Sequence, residues 1–316
     1  MQAARQRPRV RVLHTPGGVN WPPRRILVGC DFSEGAAAAF AAAAALARRV
    51  GARIDLVHVL ADPQGSRTGF EPLDALLYRD PSGELARAEA RKRLEALAAE
   101  VAPDRTQIHL AEGDALRELL AKRALFAADL VALGGAGLRG MRRVILGSVA
   151  GKLLGHPGCP LLLVTARPPG GEFKKILVAQ ESPRAASPWL EVALHLAHDE
   201  RSEATLLHVL PPAGYVSDAH HVELEPESAP AHLAGLRAKL EPTVPAKIVI
   251  RRGDPAREIP DAARELGVHL VVLGAERSGA RGSPGRVTNE VARAGLPALL
   301  VVWPEPESEE EFAAPE

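Results

Sequence analysis

Arg24-Arg25-Ile26-Leu27-Val28 returns 150 positions later as Lys174-Lys175-Ile176-Leu177-Val178, a basic pair followed by three apolar residues each time. The echo continues in order. Leu56-Val57-His58-Val59-Leu60 recurs as Leu206-Leu207-His208-Val209-Leu210 at the same offset, and Gly113-Asp114 recurs as Gly253-Asp254 at an offset of 140, so one connection in the second copy is shorter. Asp129-Leu130-Val131-Ala132-Leu133-Gly134 then matches His269-Leu270-Val271-Val272-Leu273-Gly274, with the spacing from Gly113 to Gly134 equal to that from Gly253 to Gly274. Ordered self-similarity of this kind marks a duplication. The 316 residues are too many for one average core and comfortable for two.

Each copy alternates short β-branched or leucine runs with longer helical segments, the pattern of βαβ units around a buried parallel sheet. In copy one the strands are expected at Arg25 to Gly29, Ile54 to Leu60, Thr106 to Ala111, Leu130 to Leu133 and Leu161 to Val164. Helices are expected at Gly35 to Arg49, capped by Ser33, at Glu84 to Val101, and at Leu116 to Ala127 behind Asp114. Copy two gives strands at Lys175 to Val178, Ala204 to Leu210, Ala246 to Arg251, Leu270 to Leu273 and Ala298 to Val302. Its helices fall near Pro188 to Asp199, Leu233 to Glu241, Ala256 to Leu266 and Val287 to Ala294. Residues 1–23 form an N-terminal extension, and Arg167 to Glu172, with Pro168-Pro169-Gly170-Gly171, reads as a linker between domains at 24–166 and 173–304. Residues 305–316 carry six glutamates and no basic residue, an acidic tail.

Charge and cysteine usage narrow the function. Lys plus Arg equals Asp plus Glu at 39 each, so no general field draws the chain to nucleic acid or to an anionic membrane, and any anion site must be local. The longest apolar run, Ala36 to Ala47, is mostly alanine and too short to span a bilayer. Cys30 and Cys159 lie far apart in apolar surroundings and read as small buried residues of a reducing, cytoplasmic compartment. His58 and His208, flanked by apolar residues at matching strand positions, read as core histidines.

After the fourth strand comes Gly134-Gly135-Ala136-Gly137-Leu138-Arg139-Gly140-Met141-Arg142-Arg143-Val144-Ile145-Leu146-Gly147-Ser148-Val149, then a helical run. Glycine lets a backbone approach a phosphate closely and turn its N–H groups inward, and a helix opening at Ser148 adds unpaired donors and the positive end of its dipole. The loop has neither the lysine of a Walker A motif nor the glycine spacing of a dinucleotide fingerprint. Its spacing, Gly-x2-Gly-x9-Gly-Ser, resembles the ATP-binding signature of the universal stress protein family. The likeness extends to Ile26-Leu27-Val28 with Asp31-Phe32-Ser33, Val57-His58-Val59, Glu112-Gly113-Asp114 and Cys159-Pro160-Leu161-Leu162-Leu163-Val164, and covers nearly all of residues 24–304 as a tandem pair.

That resemblance implies two Rossmann-like, adenine nucleotide alpha hydrolase-like domains, each a five-stranded parallel sheet in order 3-2-1-4-5, with ATP and its Mg²⁺ across the ends of the first and fourth strands. It implies that Asp31 and Val59 contact the adenosine end, with Gly134, Gly137, Gly147, Ser148 and Val149 around ribose and phosphates. Ala136 stands where the family often has histidine. It further implies an internal pseudo-dimer of the two domains through their last strands, Leu161 to Val164 beside Ala298 to Val302, and leaves a homodimer of whole chains open. From the residues alone, Asp31 serves equally as a helix cap, and Arg139, Arg142 and Arg143 either neutralise phosphate or are solvated.

In copy two the pattern is degraded. Gly285 takes the place of Gly147, Arg286 that of Ser148 and Arg277 that of Gly137; Glu181 stands for Asp31 and Pro183 for Ser33. A side chain in the phosphate space leads to an expectation of one ATP per chain, although Arg277 and Arg286 could instead form a different anion site. The functions left in play are an ATP-binding regulatory module of the stress response, a slow ATP hydrolase or phosphotransferase relying on the loop arginines, and a scaffold that binds no nucleotide. No grouping of nucleophile and base is visible in the sequence.

Overall fold

The computed structural model describes residues 13–14, 19–60, 83–135, 146–156, 158–168, 171–180, 187–212, 231, 234–235, 246–275, 277–278 and 283–303. Among these residues ten strands build one sheet: β1 Arg25–Gly29, β2 Arg53–Leu60, β3 Thr106–Glu112, β4 Leu130–Gly134, β5 Leu161–Val164, β6 Lys175–Ala179, β7 Glu203–Leu210, β8 Ala246–Arg252, β9 Leu270–Gly274 and β10 Ala298–Val302. Their spatial order is β8-β7-β6-β9-β10-β5-β4-β1-β2-β3. Each half is thus a parallel sheet in which the first strand sits between the second and the fourth. Two short antiparallel ladders, Leu13–His14 with Asn20–Trp21 and Arg277–Ser278 with Ser283–Pro284, lie outside it.

The halves meet through one antiparallel ladder, in which Val164 faces Ala298, Leu163 faces Leu299, Leu162 faces Leu300 and Leu161 faces Val301. Every residue of β5 and β10 is buried, so two edges that would otherwise invite pairing with another chain close on each other. Thr165 fastens the seam: its N–H donates to the Pro297 carbonyl at 2.9 Å and its hydroxyl to the Leu296 carbonyl at 2.5 Å.

Strand alternation sends Ile26, Val28, Ile176 and Val178 to one face and Leu27, Val131, Leu177 and Val271 to the other, and each face carries an apolar core that runs through both halves. Seven helices cover these faces among the described residues: α1 Glu34–Val50, α2 Glu84–Val101, α3 Ala115–Phe126, α4 Ser148–Leu153, α5 Pro188–Glu200, α6 Pro255–Glu265 and α7 Arg286–Ala292. The expected helix at 233–241 falls almost wholly outside the described residues, as does the acidic tail.

Alanine favours the helical state of α1, and its small side chains let the helix lie close over β4. Ser33 caps its start by accepting from the Ala36 N–H, and Gly51, at φ 81°, ends it in the left-handed conformation. The counterpart α5 buries Leu190, Val192, Ala193, Leu196 and Ala197, each 150 positions after a buried residue of α1, yet it is 13 residues long where α1 has 17. The missing turn is the first one. Ser187 caps α5 in the register of Ala37, so the second half starts this helix one turn farther from the strand ends.

Candidate functional site

In the first half the chain leaves β1 and turns sharply. Cys30 still donates to the Val57 carbonyl at 2.8 Å, as if the strand continued; Phe32 then takes φ 61°, a left-handed value uncommon for a side chain of its size. Asp31 holds this turn: its Oδ1 accepts from the Ser33 N–H at 2.9 Å, while the Ser33 hydroxyl accepts from the Ala36 N–H at 3.1 Å. Ser33 is therefore the helix cap, and the exposed carboxylate of Asp31 stands on the loop before it.

Beneath the turn lies His58, buried, with Nδ1 2.7 Å from the Cys30 carbonyl and its ring 4.5 Å from that of Phe32. A carbonyl only accepts, so Nδ1 carries the proton. Burial holds the imidazole below its ordinary pKa, opposed by the carbonyl bond and the charge of Asp31. His58 is thus a neutral strut that fixes the end of β1.

The loop glycines divide into two kinds. A Cβ on Gly134 would sit 2.5 Å from the Ala36 nitrogen and 2.6 Å from the Gly35 carbonyl carbon, and a Cβ on Gly35 would sit 2.9 Å from the Gly135 oxygen. Backbone against backbone cannot yield, so Gly134 is glycine because α1 starts on top of it. Gly147 is different. It has φ −54° and ψ 145°, open to any residue, and a Cβ there would meet nothing nearer than 4.0 Å. Packing among the described residues gives no reason for this position to lack a side chain.

Gly147 also opens α4 and, having no side chain, makes no cap hydrogen bond to the first N–H groups of the helix. Ser148 is exposed, whereas Val149 is half-buried and packs on the same core face as Val59 of β2. Asp31, Val59, Gly134, Gly147, Ser148 and Val149 are therefore all on the carboxyl side of the sheet, around the crevice between the ends of the parallel strands β1 and β4, from which the chain leads on toward β2 on one side and β5 on the other, the usual ligand position of open α/β sheets. Gly137 and the loop arginines 139, 142 and 143 lie outside the described residues.

The second half keeps the frame and fills it. His208 donates to the Gln180 carbonyl at 2.8 Å, repeating His58, and burial again lowers its pKa. Where the first turn of α1 presses on Gly134, the indole of Trp189 folds back from α5 and covers Gly274, its N–H donating to the Ala179 carbonyl at 3.0 Å. Arg286, in the position of Ser148, reaches Asp254 with Nη2 at 2.8 Å and Nη1 at 3.1 Å, and Glu290 with Nη1 at 3.0 Å. This guanidinium holds the Asp254 carboxyl below its usual range. An anion site built on Arg286 would have to displace both carboxylates. Glu181 and Pro183 lie outside the described residues, as does the side chain of Arg277.

Sequence reading overlooked a buried ion pair on β2. Asp55, about 1% exposed, receives Arg25 at 2.5 and 3.0 Å and lies 2.8 Å from His109 Nε2. A carboxylate inside the apolar run Ile54-Asp55-Leu56 was the available signal. Its counterpart is Thr205, so the network belongs to the first half alone. It faces the amino end of β1, away from the crevice. Both cysteines are free thiols, and burial raises that of Cys159 to about 11. Among the described residues no group of His, Cys, Asp and Glu is placed to hold a metal ion by itself, and no helix is long and apolar enough to cross a membrane.

Comparison with known proteins gives the same duplication. The sequence model of the universal stress protein family matches residues 23–165 and again residues 172–302. Universal stress protein YxiE of Bacillus subtilis is 30% identical over 146 residues, 41% of this chain and 99% of that protein. Universal stress protein Mb2028c of Mycobacterium bovis is 30% identical over 186 residues, 55% of this chain and 60% of its own length. Among solved structures, a universal stress protein from Archaeoglobus fulgidus aligns with a TM-score of 0.68 at 18% identity, over 89% of this chain and 98% of that one. At that identity the likeness speaks to the fold.

Proposed function

This chain belongs to the universal stress protein family, with two domains in tandem, and from that premise we propose that it is an ATP-binding regulatory module holding one nucleotide, in the domain at 24–166. In this reading Asp31 and Val59 meet the adenosine end, and Gly134, Gly137, Gly147, Ser148 and Val149 surround ribose and phosphates. The domain at 173–304 is its internal partner with a degenerate site, joined by a linker at 167–172 and flanked by an extension at 1–23 and an acidic tail at 305–316. Two free thiols suit a cytoplasmic setting.

One observation carries the reading. Gly147 lacks a side chain where no described residue nearer than 4.0 Å requires it, directly before a helix start whose cap residue makes no side-chain hydrogen bond. Backbone donors in such a place favour phosphate oxygens. Half-buried Val59 offers an apolar margin for a planar base. A triphosphate brings Mg²⁺, which supplies charge neutralisation when bound and prefers carboxylate and phosphate oxygens. Bound ATP would act by favouring one conformation of a partner-binding surface, the route open to a ligand that switches a protein.

The test is to purify the protein under native conditions, denature it and identify released nucleotide by mass spectrometry. ATP at about one per chain is the expected result. Protein that carries none and takes up none on incubation with ATP and Mg²⁺ would leave the scaffold reading in its place.

A further inference from the structure

We infer that Asp114 holds the cation that accompanies the triphosphate in the first domain, an assignment that rests on the ATP reading. The grounds lie in the second domain, where the corresponding carboxylate is already holding a cation. Gly113-Asp114 and Gly253-Asp254 share a backbone: the glycines take φ 123° and 148°, and the aspartates cap α3 and α6 with φ −76°, ψ 119° and φ −75°, ψ 118°, Asp114 accepting from the Arg117 N–H and Asp254 from the Ala256 N–H. The facing helix starts match as well, with Gly147 at φ −54°, ψ 145° and Gly285 at φ −56°, ψ 161°. In both halves the two helices pack together.

Across this shared frame, both oxygens of Asp254 receive the Arg286 guanidinium, at 2.8 and 3.1 Å. The corresponding positions in the first domain are Asp114 and Ser148, and a serine side chain is too short to make the contact that Arg286 makes. Asp114 Oδ1 accepts from the Arg117 N–H at 2.9 Å, which leaves carboxylate lone pairs for a metal ion. The second acid on Arg286, Glu290, has Lys152 as its counterpart four residues after Ser148. The first domain thus offers one carboxylate and one ammonium where the second offers two carboxylates, a balance suited to an anion that arrives with a divalent cation. Mg²⁺ characteristically bridges one or two carboxylates and the phosphates of its nucleotide. Without it, Asp114 repels the triphosphate.

Asp114→Asn separates charge from structure, because asparagine caps a helix as well as aspartate does. ATP affinity is measured by calorimetry with Mg²⁺ and with EDTA. The wild type should bind about tenfold tighter with Mg²⁺, while in Asp114→Asn the ratio should fall to roughly one as metal-free binding strengthens. A variant that keeps the wild-type ratio overturns the assignment. Ligand-free protein gives a second reading: Ser148→Arg, which installs the Arg286 arrangement, should raise the melting temperature in the wild-type background and not in Asp114→Asn. Equal shifts in both backgrounds would mean that Asp114 does not face position 148, and would also overturn it. Wild type that binds no ATP at all would remove the nucleotide reading as well, whereas binding with an unaltered Mg²⁺ ratio would remove this assignment alone.

Discussion

The two domains have the same strands in the same order, the same histidine strut under the first strand, and the same glycine–aspartate entry into the helix after the third strand. They part at the carboxyl ends of the strands. In the first, helix α1 starts directly on Gly134 and the start of α4 has no side-chain cap from Gly147; in the second, α5 begins a turn late, an indole covers Gly274, and an arginine ties the start of α7 to two carboxylates. Duplication kept what the sheet needs and relaxed what a ligand would need. A core position is constrained by its neighbours on every side, whereas a crevice position is constrained only by what enters it.

The largest effect that would break this comparison is at Trp189. Because the indole stands in for a missing helical turn, Trp189→Ala should cost about 3 kcal/mol of stability, at the low end for a buried aromatic since the ring is half-buried. Urea unfolding checks it, and a loss below about 1 kcal/mol would mean that the ring is ornamental.

Next is Ser148→Arg, which copies the second domain into the first. Loss of a donor to a charged group plus a side chain in the phosphate space should weaken ATP about 100-fold, or about 2.7 kcal/mol, by calorimetry. Intact affinity would show that the site is misplaced.

The two kinds of glycine give a smaller and sharper contrast. Gly134→Ala drives a methyl into the backbone of α1 and should cost about 1–3 kcal/mol of stability. Gly147→Ala should leave stability within about 0.5 kcal/mol of wild type while reducing ATP affinity. If both variants lose stability equally, the distinction between a packing glycine and a ligand glycine fails.

The smallest effect is common to both halves. Burial lowers the folded pKa of His58 and His208 beneath the ordinary 6.5. The unfolded chain then binds more protons, so their contribution is fully present above pH 6.5 and is lost as the pH falls from there through the folded values. Melting temperatures should decline as the pH falls below 6.5, and His58→Gln with His208→Gln should flatten that decline.

The strands, the duplication and the place of the glycine loop were legible because buried strands and backbone turns leave local signatures. Ile26-Leu27-Val28 and its echo fixed the register of both copies, and the second copy's first helix was expected near Pro188, where α5 starts late. Its consequence was not legible: α1 and α5 still end 150 positions apart, so the lost turn changes no spacing and gives no hint that Trp189 folds back. The pairing of Arg286 with Asp254 was hidden for another reason. Two helix starts 32 residues apart must first be brought together by the sheet. Gly134 and Gly147 looked alike in sequence, and only the position of α1 separates them.

The central claim is an occupied first crevice and a closed second one, and diffraction from crystals grown with excess ATP and Mg²⁺ tests it most directly. The account predicts nucleotide density beside Asp31, Gly147 and Ser148, with Trp189 and Arg286 unmoved in the other domain. An empty first crevice, or nucleotide lying against Gly285 and Arg286, would contradict it.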